Sequence, residues 1–289
     1  MIQTRRSWQW WARFETWLEG LAGWPAPRLF GGFLAWFMGW SVFVGVLMHN
    51  LIPISAADEA DLATIASRLM PVVGTLFALL TAFVITNQWN RSRDAEQTVG
   101  EEADASVRLA LATTSPHVHG ADLRRLQVDY LRSVLDDEWA TLRHEAVGSD
   151  VTATHLRHLQ RAVRSAAVGP DVLSSVSSDL LASSEGVAVA RRDRLNLAGH
   201  GLPAPLFLLA FLSGVVVCLN SIAIAAQFHS WVALIIVALV VVVALDLALV
   251  VAISDPFRGS ISVVPTPITA VIGDFRTGQF GPVAEPGEQ

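Results

Sequence analysis

The sequence carries little charge and few of the side chains on which soluble enzymes depend. Only 16% of its 289 residues are charged, lysine is absent, and there is one tyrosine and one cysteine. Because there is only one cysteine, a disulfide framework, a CxxC redox pair and a thiolate zinc site are all excluded. This residue, Cys218, lies in an apolar run. A hydrophobic content of 52% excludes a disordered chain and favours a membrane protein. Arginine as the only basic residue type, with abundant Ala, Val and Leu, is typical of a GC-rich bacterial genome.

Motifs of enzyme active sites are also missing. The chain has no GxSxG, no HExxH and no glycine loop of the kind that binds phosphate. The pairs His155/His158 and His117/His119 have spacings that a metal site could use, but no acid or thiol lies at a supporting spacing. We therefore expect no enzymatic activity, no catalytic residue, no metal and no cofactor.

Four uncharged or nearly uncharged runs are long enough to cross a bilayer, which takes about 20 apolar residues. They cover residues 30–51, 69–89, 202–227 and 231–254. The last two are joined by three residues only, so they should form an antiparallel pair. The predicted fold class is all-α: a polytopic membrane protein with four transmembrane helices and a helical cytoplasmic insert between helices 2 and 3.

The distribution of arginine predicts the orientation, since basic residues stay on the cytoplasmic side. Thirteen of the 20 arginines lie in residues 90–201, four precede the first span and two follow the fourth. The link between the first two spans carries Asp58, Glu59 and Asp61 instead. We expect the inner membrane of a bacterial cell, with the N- and C-termini and the insert in the cytoplasm.

The predicted organisation has five parts. They are an amphipathic interfacial segment (1–29), transmembrane helices 1 and 2 (30–89), a helical cytoplasmic domain (90–201), transmembrane helices 3 and 4 (202–254) and a cytoplasmic tail (255–289). In the first part Trp10, Phe14, Trp17 and Leu21 recur at helical spacing, which fits a helix in the headgroup layer or one docked on the protein.

The insert is expected to consist of helices alone. Apolar residues keep a helical period in a stalk that continues the second span to about Leu111, and then in helices over 121–144, 151–168 and 171–197. Its 13 arginines and 16 acidic residues nearly balance, so we expect no binding of nucleic acid.

The second span contains the candidate pore residues. Val73, Phe77, Thr81, Val84 and Gln88 share one face of a helix and could form an apolar constriction with a polar inner mouth in a ring of subunits. The alternative is a packing face, since small and hydroxyl residues also hold membrane helices together.

Charged side chains flank or interrupt the spans. Arg68 outside and Arg91 and Arg93 inside would form cationic rings around an axis and favour small inorganic anions over cations. Asp246 lies inside the fourth span, where a carboxylate is costly. It could line a polar pathway, or it could bond to a neighbouring helix, for example at Asn220.

The segment after the fourth span carries a resemblance to a known family. It reads Asp255-Pro256-Phe257-Arg258-Gly259, in which Pro256 ends the helix and Gly259 permits a sharp turn. With the order of the spans, this DPFRG turn resembles the bestrophin-like DUF4239 family of bacterial membrane proteins. Three further stretches carry the resemblance: Glu101-Glu102-Ala103, Tyr130 with Asp136-Asp137-Glu138-Trp139, and Arg191-Arg192-Asp193-Arg194-Leu195.

The wider resemblance, to bestrophins, implies a pentameric anion channel whose second span lines the neck, with Phe77, Thr81 and Val84 as neck candidates by position. Calcium-activated bestrophins follow their turn with an acidic run, whereas Ser260, Ile261 and Ser262 follow here, so we expect no calcium site. Two alternatives remain open at this stage: a non-conducting membrane scaffold or sensor that uses residues 90–201, and a proton-coupled transporter that uses Asp246.

Overall fold

The computed structural model describes residues 14, 16–17, 20–51, 56–199, 201–225, 230–259 and 261–283. Within these ranges the regular structure is helical and contains no strand. The α-helices with bounds in these ranges are α1 (Ala26–Leu51), α2 (Ala56–Ala112), α3 (Gly120–Ser133), α4 (Trp139–Glu145), α5 (Asp150–Ala167), α6 (Ser174–Ala198), α7 (Ala204–Ala225), α8 (Ser230–Ala252) and α9 (Thr266–Arg276). A short π-helix (Val134–Glu138) connects α3 to α4.

Four helices in the described part of the chain are long and apolar enough to cross a membrane: α1, α2, α7 and α8. They fall on the four runs that the sequence predicts. Helix α2 begins at Ala56, so most of the link between the first two predicted spans is helical and continues into the second span. Most of the predicted amphipathic segment, Ser260, and Phe228 and His229 of the predicted link between the third and fourth spans lie outside the described residues.

The chain divides into two compact units. Unit 1 comprises Met1–Asn90, Gly201–Asp255 and Gly259–Ile261, and unit 2 comprises Arg91–His200, Pro256–Arg258 and Ser262–Gln289. Unit 1 therefore contains the four candidate spans, and unit 2 contains α3 to α6, the π-helix and α9. Helix α2 supplies residues to both units.

The core of unit 1 is largely apolar. Helix α1 packs along α8, and α7 packs on both. Phe37 of α1, Val217 and Cys218 of α7 and Val243 and Leu247 of α8 are buried together. Since the surrounding lipid is as apolar as these side chains, close packing rather than transfer out of water holds the helices together.

The core of unit 2 includes one side of the C-terminal part of α2, from Ala95 to Ala110. Apolar side chains at helical spacing on α3, α5 and α6 bury one face of each helix, among them Leu131, Leu159 and Leu180. Ser149 caps the start of α5 by accepting a hydrogen bond from the Thr152 amide at 3.4 Å. The helix ends just before Gly169-Pro170, where proline prevents its continuation.

Helix α9 is a feature that the sequence analysis missed, because it treated residues 255–289 as a tail. Ile268, Val271, Ile272 and Phe275 are buried in the core of unit 2. Their spacing of three, one and three residues is that of one face of a helix, and a Pro within the first turn favours a helix start. The signal was therefore present in the sequence.

Candidate functional site

The predicted pore residues of α2 do share one face, but that face is buried inside the protomer. Thr81 is 3% exposed and Val84 2%. Phe77 belongs to the apolar cluster with Ala210 of α7 and Val243 of α8. This burial favours the packing face, the alternative that the sequence left open, over a position on an axis between copies.

The other two members of the predicted set follow the same pattern. Val73 is half-buried against the cluster that contains Phe77, and Gln88 is buried near the end of the span. The packing face that the sequence analysis held as the alternative is therefore the arrangement within the protomer.

Another side of α2 is exposed and includes a set of residues with regular spacing. Its members alternate in steps of four and three residues: Ile65, Leu69, Val72, Leu76, Leu79, Phe83, Thr86 and Asn90. Leu79 is 65% exposed and Phe83 58%. Steps of four and three place side chains along one side of a helix, which is the pattern used when helices pack around a common axis. We call this set the exposed stripe of α2.

The character of the exposed stripe changes along the helix. From Ile65 to Phe83 every member is apolar, and Thr86 and Asn90 at its end are polar. Arg68 and Arg93 are exposed at its edge. Arg91, in contrast, is half-buried and donates a hydrogen bond to the Leu197 carbonyl oxygen at 3.3 Å, which gives it a structural role within unit 2.

Asp246 is half-buried on α8. The partner that the sequence suggested for it, Asn220 of α7, is engaged elsewhere: its amide donates to the Ala66 carbonyl oxygen at 2.8 Å and contacts the Met70 sulfur at 3.3 Å. Asn220 therefore ties α7 to α2 and not to α8.

The interior of unit 2 holds a buried ionic network centred on Arg194. This side chain of α6 has no exposed surface, and it bridges two carboxylates that are equally buried. Its Nε lies 3.0 Å from Oε2 of Glu102 on α2. Its Nη2 donates to Oε1 of Glu138, in the π-helix, at 2.7 Å. One guanidinium thus joins three helical segments.

A second arginine completes the charge balance of the network. Arg191, one turn before Arg194, pairs with Glu138 and also donates to the Ser149 carbonyl oxygen at 3.3 Å. The network therefore contains two arginines and two carboxylates. Since an unpaired buried charge is very costly, each member depends on the others.

Burial and the mutual contacts shift the pKa values of this network. Burial raises the pKa of Glu102, and Arg194 and the Tyr130 hydroxyl, which donates a hydrogen bond to this carboxyl, only partly oppose the shift. Burial and the neighbouring carboxyl raise the pKa of Tyr130 well above its usual value. Burial acts to lower the pKa of Arg194, but Glu102 and Glu138 outweigh it and the pKa is raised, so the guanidinium is permanently charged.

Aromatic rings cover the network on one side. The Arg194 guanidinium carbon lies 5.3 Å from the centre of the Trp139 ring, within the range of a cation–π contact. Phe257 of the DPFRG turn meets Trp139 edge to face, with ring centres 5.8 Å apart. The turn is closed by a hydrogen bond from the Val263 amide to the Pro256 carbonyl oxygen at 2.8 Å.

The DPFRG turn requires glycine at its last position. Gly259 has a φ of +80°, which residues with a side chain rarely adopt. A Cβ at this position would also lie 2.5 Å from the Ala22 carbonyl oxygen. Asp255, Pro256 and Phe257 are buried and Arg258 is half-buried.

The four stretches that carried the resemblance in the sequence thus contribute to one site. Glu102, Tyr130, Glu138, Trp139, Arg191 and Arg194 form the network, and Phe257 covers it. Residues that are far apart in the chain can be specific to a family because they meet in one buried place. Within unit 2 the network joins α2, α6 and the π-helix.

Comparison with known proteins agrees with this structure. The Bestrophin-like domain model matches residues 35–268, well over half of the chain. A bacterial bestrophin homologue from Klebsiella pneumoniae has a similar fold, with a TM-score of 0.62 over 85% of this chain and 96% of that chain at 14% identity.

Two further solved structures give the same result. A single-residue variant of the Klebsiella pneumoniae homologue gives a TM-score of 0.65 at 16% identity, over 86% of this chain and 99% of that chain. A structure described as a membrane protein gives 0.61 at 14% identity, over 90% and 99%. No curated protein sequence matches this chain.

The comparisons do not extend to the narrower DUF4239 label, and the structural likeness concerns the fold. The family model, however, covers α2, α7 and α8, most of α1, the buried network and the DPFRG turn. The chain is therefore a membrane protein that belongs to the Bestrophin-like domain family.

Proposed function

We propose that this chain is the subunit of a homo-oligomeric ion channel, a pentamer in the inner membrane of a bacterium, and that the exposed stripe of α2 lines its pore. The observation that carries the proposal is the stripe itself. Any side of a helix has steps of four and three residues, so the support comes from exposure: this side of α2 is left uncovered, whereas the side with Phe77 packs on α7 and α8.

The composition of the stripe fits an ion pathway with a hydrophobic constriction. Leu76, Leu79 and Phe83 would narrow the axis and exclude water unless the pore widened, which is a common gating principle. Thr86 and Asn90, one to two turns further along, offer oxygen and amide groups to a partly hydrated ion. This assignment replaces Phe77, Thr81 and Val84 as pore-lining residues and keeps α2 as the pore helix.

Selectivity for anions is proposed from the arginines at the edge of the stripe. Arg93 is exposed and lies just beyond Asn90, so in a ring it would place one positive charge per subunit near the inner mouth. Arg68 would do the same at the other end. Rings of guanidinium attract anions and repel cations.

Reversal potentials in asymmetric chloride test this proposal. Wild-type protein in planar bilayers should carry current with a reversal potential near that of chloride, and Arg93→Glu should shift it towards that of the cation. Arg157→Glu is the matched control, because Arg157 is exposed on α5 and away from α2. Absence of current in the wild type, or equal shifts in the two variants, would refute the proposal.

A scaffold or sensor remains the second candidate, and one observation favours it. The exposed side of α5 carries Arg157, Arg161 and Arg164, and no acidic residue occurs from Val151 to Pro170. A basic helix face of this kind suits an acidic partner. Charge reversal of all three arginines should abolish capture of that partner by the full-length protein and leave any current unchanged.

A further inference from the structure

An apolar groove of about 450 Å³ lies in unit 1. It is formed by the start of α1, by the first half of α7 and by residues that precede α1. Its lining includes Trp17, Trp24, Gly32, Trp36, Phe207 and Phe211. The volume falls within the range of about 300–1,000 Å³ that is typical of sites for small molecules.

The rings in this groove form a continuous apolar wall. Phe207 and Phe211 of α7 have ring centres 6.1 Å apart, and Trp36 of α1 follows at 5.2 Å from Phe211. At the other end Phe14 stands 6.5 Å from Phe207 and stacks on Trp17. Such a wall offers contact along its length to a long apolar chain.

Large aromatic side chains of this wall are left uncovered in the protomer. Trp17 is 55% exposed, and Trp24 and Trp36 are each 47% exposed. Tryptophan is enriched where a membrane protein meets the headgroup layer. An exposed apolar surface of this size marks a binding surface. On membrane-spanning helices such a surface is in contact with lipid.

A cationic side chain lies on the side of α1 that faces the groove, next to the lining residue Leu29. Arg28 lies one helical turn before Gly32 on α1, and Gly32 lies one turn before Trp36, so the three share one side of the helix. Arg28 is exposed and has no ion pair among the described residues. Its guanidinium matches the charge and geometry of a phosphate group.

We propose that the groove is a binding site for one phospholipid of the surrounding bilayer. The acyl chain lies along Trp36, Phe207 and Phe211, and Arg28 binds the phosphate of the headgroup. Basic groups beside apolar clefts between membrane helices are a recognised arrangement for anionic lipids.

The glycines of α1 provide a matched pair of variants. Neither Gly31 nor Gly32 has a neighbouring atom within 4 Å of an added Cβ, so a larger side chain fits at both positions. Only Gly32 lines the groove. Gly32→Leu should therefore fill the groove, whereas Gly31→Leu adds the same side chain to the same helix on another side.

The test uses the full-length protein in vesicles of phosphatidylethanolamine and phosphatidylglycerol that contain a phosphatidylglycerol with a photoreactive acyl chain. Mass spectrometry should map the cross-links of the wild type to Trp36 and Phe211. In Gly32→Leu their yield should fall roughly ten-fold, as expected for the loss of about two buried methylene contacts. Gly31→Leu should retain the wild-type yield, and Arg28→Gln should lower it.

Two outcomes would overturn the proposal. One is the absence of cross-links in the groove of the wild type, which is expected if a second copy or another segment of the chain covers it. This measurement needs no substitution, so it does not depend on the folding of a variant. The other is an equal loss of cross-links in Gly31→Leu and Gly32→Leu.

Discussion

Replacement of Arg194 by methionine should be among the most damaging single changes in unit 2. The variant keeps the length and apolar stem of the side chain but removes the guanidinium that bridges Glu102 and Glu138, both of which are fully buried. Two carboxylates would then share the interior with only Arg191 to compensate them.

The expected loss follows from the cost of a broken buried ion pair. Removal of one partner leaves an uncompensated buried charge and costs about 3–5 kcal/mol. For a domain of this size each kcal/mol shifts Tm by about 2–4 °C, so we expect Tm to fall by roughly 6–20 °C. The measurement is the apparent Tm of detergent-purified protein, followed by its tryptophan fluorescence.

The neighbouring Arg192 is the control. It pairs with Glu185 at 2.9 Å, but both side chains are more than half exposed, and exposed ion pairs contribute little to stability. Arg192→Met should therefore leave Tm nearly unchanged. Adding Glu102→Gln to Arg194→Met should restore part of the loss, because one buried charge disappears with its partner while Glu138 keeps its pair with Arg191. Equal Tm values for Arg194→Met and Arg192→Met would refute the reasoning.

Three further predictions concern single positions. Gly259→Ala should lower stability by about 1–3 kcal/mol, since alanine must adopt a φ of +80° and meet the Ala22 carbonyl oxygen; a Tm equal to that of the wild type would contradict this. In the folded state the pKa of Glu102 is raised above its ordinary value of 4.5, so the folded state binds this proton more tightly than the unfolded state does. Tm should therefore fall as the pH rises from about 4.5 through the raised pKa. Glu102→Gln should flatten that dependence, and an unchanged pH profile would count against it. If the protein is a channel and not a proton-coupled transporter, Asp246→Asn should leave the pH dependence of ion flux as it is, and a pH-dependent flux abolished by this change would favour transport.

The spans and most helices of unit 2 could be predicted because they rest on local patterns. An uncharged run of about 20 residues forms a helix in a bilayer. Helix α5 ends just before Gly169-Pro170 and helix α6 ends at Ala198, and the residues next to these ends account for both. Helix α9 carries the same kind of local signal, in the spacing of Ile268, Val271, Ile272 and Phe275.

The orientation of α2 could not be predicted from its own sequence. Two faces of this helix are compatible with a pore, one with Phe77, Thr81 and Val84 and the other with Leu76, Leu79 and Phe83. Which face is buried depends on contacts with α7 and α8, more than 100 residues further along the chain. Polarity alone favoured the face with threonines, whereas the structure shows that this face packs on the protomer.

The ionic network was partly predictable from the sequence. Its members were recognised as stretches typical of a family, but their meeting at Arg194 was not anticipated. A pairing between Glu102 and Arg194 joins residues 92 positions apart, and no spacing rule connects them. The available signal for this network is that charges of opposite sign lie on the apolar sides of separate helices.

The most direct test of the central claim is the reaction of single cysteines with a charged, water-soluble thiol reagent in a conducting bilayer, in a Cys218→Ser background. Leu79→Cys on the exposed stripe should react and change the current, whereas Leu234→Cys on α8, exposed to the same 65%, should not react because it faces lipid. Lack of reaction at Leu79→Cys, or equal reaction at both positions, would contradict the claim that this side of α2 lines a hydrated axis.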